Sequence, residues 1–180
     1  MPYNDLREFL DRLETTGDLV RVKEEVDWNL EAAAVIRRLN DIEGPAPLFE
    51  RVKDYPNRRL CGDHLASFRR FAIGMEMDPN ASYREILEAY VDRSSHPLKP
   101  IVVNSGACKE EVQTGDKVDL LSLPVPMVHG TDGGRYLGTM NVGMFKDPDS
   151  DWVNWGMYRD RKSTRLNSSH IQKSRMPSSA

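Results

Sequence analysis

The feature that most constrains this chain is a loss of pattern after Arg159. Up to that point apolar residues recur at helical or strand spacing, and the patterned part closes on Trp152-Val153-Asn154-Trp155-Gly156-Met157-Tyr158-Arg159. From Asp160 to Ala180 neither a two-fold nor a 3.6-fold apolar period survives, and almost no side chain there could be buried. A polar, Ser-rich, basic segment does not offset the entropy of ordering itself. Residues 160–180 are therefore expected to be a disordered tail, and residues 1–159 the folding part.

Setting the tail aside changes the electrostatics. It carries five of the 25 Lys and Arg and one of the 28 Asp and Glu, which leaves 20 against 27 and a net charge of −7 for residues 1–159. An acidic body with scattered basic residues argues against nucleic acid and anionic membrane as partners. No stretch approaches the ~20 apolar residues of a membrane span, and the N-terminus lacks an apolar signal core. Cys61 and Cys108 fit no metal or redox spacing, so a reduced, cytoplasmic protein is expected.

Helices and strands alternate along the first two thirds. Leu6, Phe9, Leu10 and Leu13 predict an amphipathic helix, with Asn4 placed to cap it and Gly17 to close it. Val20 and Val22 alternate with Arg21 and Lys23 as in a half-buried strand. Ala32, Val35, Ile36, Leu39 and Ile42 predict a second helix stopped by Gly44-Pro45. An apolar run over Pro47–Val52 and a polar turn at 54–58 lead to a short helix from Ser67, with Phe68, Phe71, Ala72 and Met75 inward. Ser82 and Glu85 form a capping box ahead of Tyr83, Ile86, Leu87, Tyr90 and Val91, and His96-Pro97 ends that helix. Ile101-Val102-Val103 begins an extended stretch.

The texture then changes. Helical spacing gives way to Pro124, Pro126, Gly130, Gly133-Gly134 and two strand-like runs, 136–145 and 152–159, separated by the hairpin loop Lys146–Asp151. The predicted fold class is α+β (α/β), with an amino-terminal α/β domain over 1–113 and an incomplete β-rich domain over 114–159.

Chemistry is expected on the last strand. Alternation places Asn154, Gly156 and Tyr158 on one face and Trp155, Met157 and Arg159 on the other. Gly156 permits close approach of a planar ligand or a backbone. Asn154 offers an amide oxygen to a hard cation, and Arg159 a planar donor fork to a carboxylate or phosphate. An ordinary edge strand with two surface polar residues has the same spacing. Elsewhere, the Gly-rich loop 129–134 lacks phosphate-loop spacing and a following helix. Cys61 and His64 are expected to be structural, His96 a helix-end residue, and Glu110-Glu111 a solvated charge run.

The string Asp119-Leu120-Leu121-Ser122-Leu123-Pro124-Val125-Pro126, the Asp-Gly-Gly loop after it, and the closing Asn154-Trp155-Gly156-Met157-Tyr158-Arg159 together resemble the UbiD family of decarboxylases, whose motif has Asn, four residues and Arg in that order. Tyr3-Asn4-Asp5-Leu6-Arg7-Glu8-Phe9-Leu10 and Gly17-Asp18-Leu19-Val20 are similar to that family's start. The tail instead resembles translated sequencing-adapter DNA, through Lys162-Ser163-Thr164-Arg165-Leu166-Asn167-Ser168-Ser169-His170 and Ser174-Arg175-Met176-Pro177-Ser178-Ser179-Ala180.

The family resemblance implies a split-barrel flavin domain beginning near 114. It implies reversible, non-oxidative decarboxylation of aromatic, heteroaromatic or α,β-unsaturated carboxylic acids with prenylated FMN, a divalent metal, usually Mn2+, and often K+. Homo-oligomers and a prenyl-flavin synthase as cofactor supplier are implied as well. Carried over by position, Asn154 is a metal ligand and Met157, Tyr158 and Arg159 line the flavin. Arg159 also holds the substrate carboxylate and tunes the acid group. The family's ligand His and Glu and its proton-delivering acid lie downstream of this motif, and His170, inside the tail, is not carried over. The 180-residue chain is thus expected to be an inactive fragment of an active parent. The alternative from the residues alone is a non-catalytic α/β binding or assembly module that docks through its exposed aromatic strand.

Overall fold

The computed structural model of the chain describes residues 3–96, 98 and 103–161, without the side chains of Cys108, Thr139–Asn141 and Tyr158–Arg161. The expected strand start at Ile101-Val102 and the tail beyond residue 161, His170 included, lie outside the described residues.

Helix α1 (Leu6–Thr15) is capped by Asp5, whose carboxylate accepts from the Glu8 amide at 2.9 Å. The expected cap, Asn4, instead donates to the Glu8 carboxylate. Asp5 takes the role because its own backbone is extended at the last non-helical position, which is what the cap requires. Gly17 closes the helix at φ 77 as expected.

Strand β1 (Leu19–Val26) leads through α2 (Glu31–Asp41) to β2 (Ala46–Val52), which pairs parallel with β1, and the short β3 (Leu60–Cys61) adds antiparallel to β2. Adjacent residues of β2 feed opposite faces of this sheet. Leu48 joins Phe9 and Leu13 of α1, Leu19, and Ile73 of α3 (Phe68–Gly74). Phe49 joins Val26, Val52 and Ala32 of α2. Helices thus cover both faces, as a parallel βαβ unit demands.

Three expectations about orientation are corrected. Val20 is 37 % exposed at the start of β1, while Val22 on the same face packs against the Phe49 cluster, Leu19 is buried in the cluster under α1 and Val26 in the one under α2; an extra residue shifts the register further along, between Val22 and Glu25. Phe68 is 62 % exposed, and the inward residues of α3 are Arg70, Ala72 and Ile73. Helix α4 (Tyr83–Ser95) has the expected capping box, with Ser82 and Glu85 bonded reciprocally, yet only Ile86 on it is buried. Tyr83, Leu87, Tyr90 and Val91 are exposed, as is Ile42 beyond α2. Periodicity identifies an apolar face, and packing partners decide whether it is covered.

After α4, three single turns of 3-10 helix at 107–109, 115–117 and 120–122 precede a segment that returns to the first unit. Met127 bridges Asn29 in parallel register, its amide donates to the Trp28 carbonyl at 2.9 Å, and its carbonyl accepts from Leu30 N at 3.1 Å. Leu30 adopts φ 71 and ψ −36, with Glu31 N donating to Asn29 O at 2.9 Å, a three-residue turn of the strained hand. Arg135 completes the clasp: its guanidinium stacks 4.1 Å over the Trp28 ring and donates to Tyr55 Oη at 2.7 Å.

Strands β4 (Tyr136–Lys146) and β5 (Val153–Arg161) form a separate antiparallel hairpin. Asp160 and Arg161 belong to this hairpin, paired with Gly138 and Tyr136, so the strand outruns the pattern break expected at Arg159. Main-chain pairing extends a strand whatever its side chains, which apolar spacing does not register.

Candidate functional site

The hairpin loop forms as its sequence dictates. Asp147 N donates to Trp152 O at 2.9 Å, the Asp147 carboxylate accepts from Asp149 N and from Ser150 Oγ, and Lys146 pairs with Asp151 at 2.9 Å. These bonds fix which residues of the two strands stand opposite each other. Phe145 faces Asn154, Gly143 faces Gly156, and Asn141 faces Tyr158. The alternating set pairs Lys146 with Val153, Met144 with Trp155 and Val142 with Met157.

Directly opposed residues of an antiparallel pair share a face. One face therefore carries half-buried Asn154 and, across the middle of both strands, two glycines side by side. Where most hairpins would have a pair of side chains, this one has bare backbone. Neither glycine puts a side chain on this face, which permits a flat ring to approach the backbone there. The other face carries Trp155 and Met157, 68 % and 66 % exposed, with Met144 and Val142. Two register shifts, between Tyr136 and Gly138 and between Gly138 and Asn141, twist β4 at the far end of this surface.

The structure thus brings Asn154 and Gly156 together as the alternation predicts, and it sends the Met157 side chain through the opposite face. The side chains of Tyr158 and Arg159 lie outside the described residues. Gly143 was not singled out from the sequence. Pairing residues outward from the 146–151 loop would have found it, since that count places Gly143 against Gly156.

The bare glycine patch fits a planar, ring-bearing group such as a flavin. For a divalent cation the fit is partial. Asn154 supplies one hard oxygen donor, and among the described residues no cluster of three or more His, Cys, Asp or Glu completes a shell.

Two family models match the chain. Residues 10–90 match the 3-octaprenyl-4-hydroxybenzoate carboxy-lyase N-terminal domain, and residues 101–175 match the Rift-related domain of the same carboxy-lyases. The chain belongs to the UbiD family. The second UbiD match runs past Arg159 to residue 175. The chain is 35 % identical to pyrrole-2-carboxylic acid decarboxylase of Pseudomonas aeruginosa over 164 residues, covering 86 % of this chain and 33 % of that protein. It is 34 % identical to ferulic acid decarboxylase 1 of Saccharomyces cerevisiae, covering 88 % and 34 %. Among solved structures it resembles vanillic acid decarboxylase of Sedimentibacter hydroxybenzoicus in open form, with TM-score 0.79, 33 % identity, and coverage of 88 % of this chain and 36 % of that one. It also resembles the UbiD-class enzyme HmfF of Pelotomaculum thermopropionicum in complex with prFMN, with TM-score 0.70, 31 % identity, and coverage of 87 % and 35 %. The chain spans about a third of the length of the curated relatives it matches.

Sites set aside in the sequence stay aside. His129 bonds locally, its amide and ring both reaching the Asp132 carboxylate. His96 Nδ1 meets the Asp92 carbonyl at 2.9 Å. Burial pushes the Cys61 thiol up to about 11, against the opposing pull of the Arg70 charge. Burial also depresses the His64 imidazole below its usual value. At pH 7 such a thiol is ionised to about one part in ten thousand, so Cys61 is expected to resist a thiol-specific chromogenic reagent in the folded chain. Reactivity should rise as pH climbs toward 11, and immediate full labelling at pH 7 would contradict the burial.

Among the described residues, no helix is long and apolar enough to cross a membrane.

Proposed function

We propose that the chain is the amino-terminal portion of a carboxy-lyase that decarboxylates an aromatic, heteroaromatic or α,β-unsaturated carboxylic acid, reversibly and without net oxidation. Its cofactor is prenylated FMN, delivered by a prenyl-flavin synthase, with a divalent metal such as Mn2+, and K+ beside it. The parent works in the cytoplasm as a homo-oligomer. The observation that carries this reading is the hairpin face on which Gly143 and Gly156 leave open backbone next to Asn154, inside a chain that matches the UbiD models.

When bound, the cofactor supplies the electron sink that accepts the pair left as carbon dioxide departs. The protein's share is placement and charge. The glycine pair would seat the ring, and Asn154 would offer its amide oxygen as one donor to the metal. Met157, Tyr158 and Arg159 would line the flavin as the family motif implies, with Tyr158 falling by alternation on the glycine face and Met157 and Arg159 on the other, so that Met157 would contribute its main chain and Arg159 would have to reach the ring from that other side of the strand. Arg159 holds the substrate carboxylate in a two-point grip and sets the basicity of the neighbouring acid. One metal donor and one wall of a pocket retain a cofactor poorly, so the 180-residue chain alone is proposed to be inactive.

In the full-length parent, co-expressed with the synthase, Asn154→Ala is expected to lower metal content and flavin absorbance together. Arg159→Lys keeps the charge but loses the planar fork, and should cost about a hundredfold in turnover while the flavin is retained. Wild-type flavin absorbance, metal content and turnover in both variants would overturn the assignment.

A further inference from the structure

The β4–β5 hairpin has little of the first unit to lean on. Among the described residues its two strands make their main contacts with each other, while β1, β2, β3 and the helices pack among themselves. What joins the hairpin to that unit is the chain just ahead of β4. Val125 is buried, and Met127 is bonded into the Trp28–Leu30 turn. The largely exposed loop 128–134 then swings out, closed by the Asp132 amide on the His129 carbonyl at 3.1 Å, before Arg135 returns to Trp28.

The Arg135 end of this joint is specific in angle as well as position. The guanidinium lies 4.1 Å over the Trp28 ring and 6.0 Å from the centre of the Tyr55 ring, and it donates to Tyr55 Oη at 2.7 Å. Trp28 is itself held, because its indole Nε1–H donates to the Asp54 carboxylate at 3.0 Å. A stacked plane with a directed hydrogen bond resists rotation, which a point charge does not. Gly143 lies eight residues beyond Arg135, a lever of up to about 26 Å at the ~3.3 Å rise of a strand. A turn of about 5° at the root therefore displaces the glycine pair by about 2 Å at that reach. A misplacement of about 1 Å at a reacting group costs on the order of a hundredfold in rate.

We propose that Arg135 is a positioning residue for the flavin: by stacking on Trp28 and bonding Tyr55 it sets the angle at which the Gly143–Gly156 face is presented to the ring. It acts through the root of β4, an assignment that rests on reading that face as the ring's seat.

The test compares wild type, Arg135→Met, Arg135→Lys and Tyr55→Phe in the full-length parent, co-expressed with the synthase. Arg135→Met keeps an apolar stem and removes the cation and its directed bond. It is expected to keep its flavin, to lower kcat about tenfold or more with KM within about twofold, and to alter the visible circular dichroism of the bound flavin. Arg135→Lys retains a cation over the ring and should recover part of kcat, whereas Tyr55→Phe removes the phenol acceptor and should lose about threefold. In the flavin-free 180-residue chain, Arg135→Met should shift the Trp28 indole N–H and the Tyr136 amide in 15N–1H spectra. Wild-type kcat and flavin dichroism in Arg135→Met, or unmoved Trp28 and Tyr136 signals, would overturn this role alone. A wild-type parent that binds no flavin would overturn the seat and this role together. Should Arg135→Met fail to fold, Tyr55→Phe decides by the same kcat and dichroism readings.

Discussion

Replacing Phe49 by alanine is expected to lower the unfolding free energy of the chain by about 3–5 kcal/mol, a large share of the about 5–15 kcal/mol that a domain has in total. Phe49 is 0 % exposed at the middle of β2, and its ring is what α2 closes over. Ala32 is the only fully buried α2 residue at that contact and is too small to move into the gap, so the void stays open. Urea unfolding followed by far-ultraviolet circular dichroism measures the loss as a lower midpoint at constant slope. A midpoint that moves by less than the equivalent of about 1 kcal/mol would mean that α2 does not cover that face of the sheet.

Gly156→Val is expected to reduce flavin retention and turnover of the full-length parent by about a hundredfold without weakening the hairpin. The added side chain would stand on bare backbone opposite Gly143, in the space assigned to the ring. Valine favours strands, so the fold does not suffer and the loss cannot be ascribed to unfolding. Gly143→Val should behave in the same way from the facing strand. Trp155→Val, on the other face, serves as the control and should keep its flavin. Equal flavin absorbance in Gly156→Val and wild type would remove the ring from this surface.

Much of the fold is legible in the residues because local chemistry determines it. The capping box at Ser82 and Glu85, the Gly44-Pro45 stop and the Asp147–Ser150 turn are each specified within a few positions. What escapes is whatever depends on distant partners. No local rule distinguishes the inward Arg70 from the outward Phe68, since the choice rests on a carbonyl 26 residues earlier. The added residue in β1 between Val22 and Glu25 exists only relative to β2. The candidate site divides in the same way. Asn154 and Gly156 follow from alternation along one strand, whereas Gly143 acquires meaning only when the second strand is laid against it.

The contact of Met127 and Arg135 with the Trp28–Leu30 turn has a bearing on how such chains diversify. Because Arg135 immediately precedes Tyr136, the root of the hairpin takes its bearings from this anchor and not from the thirty-odd residues of chain between α4 and it. Lengthening or trimming that stretch is then expected to leave the sheet that follows in its orientation, whereas a residue inserted between Arg135 and Tyr136 is expected to turn its surface over.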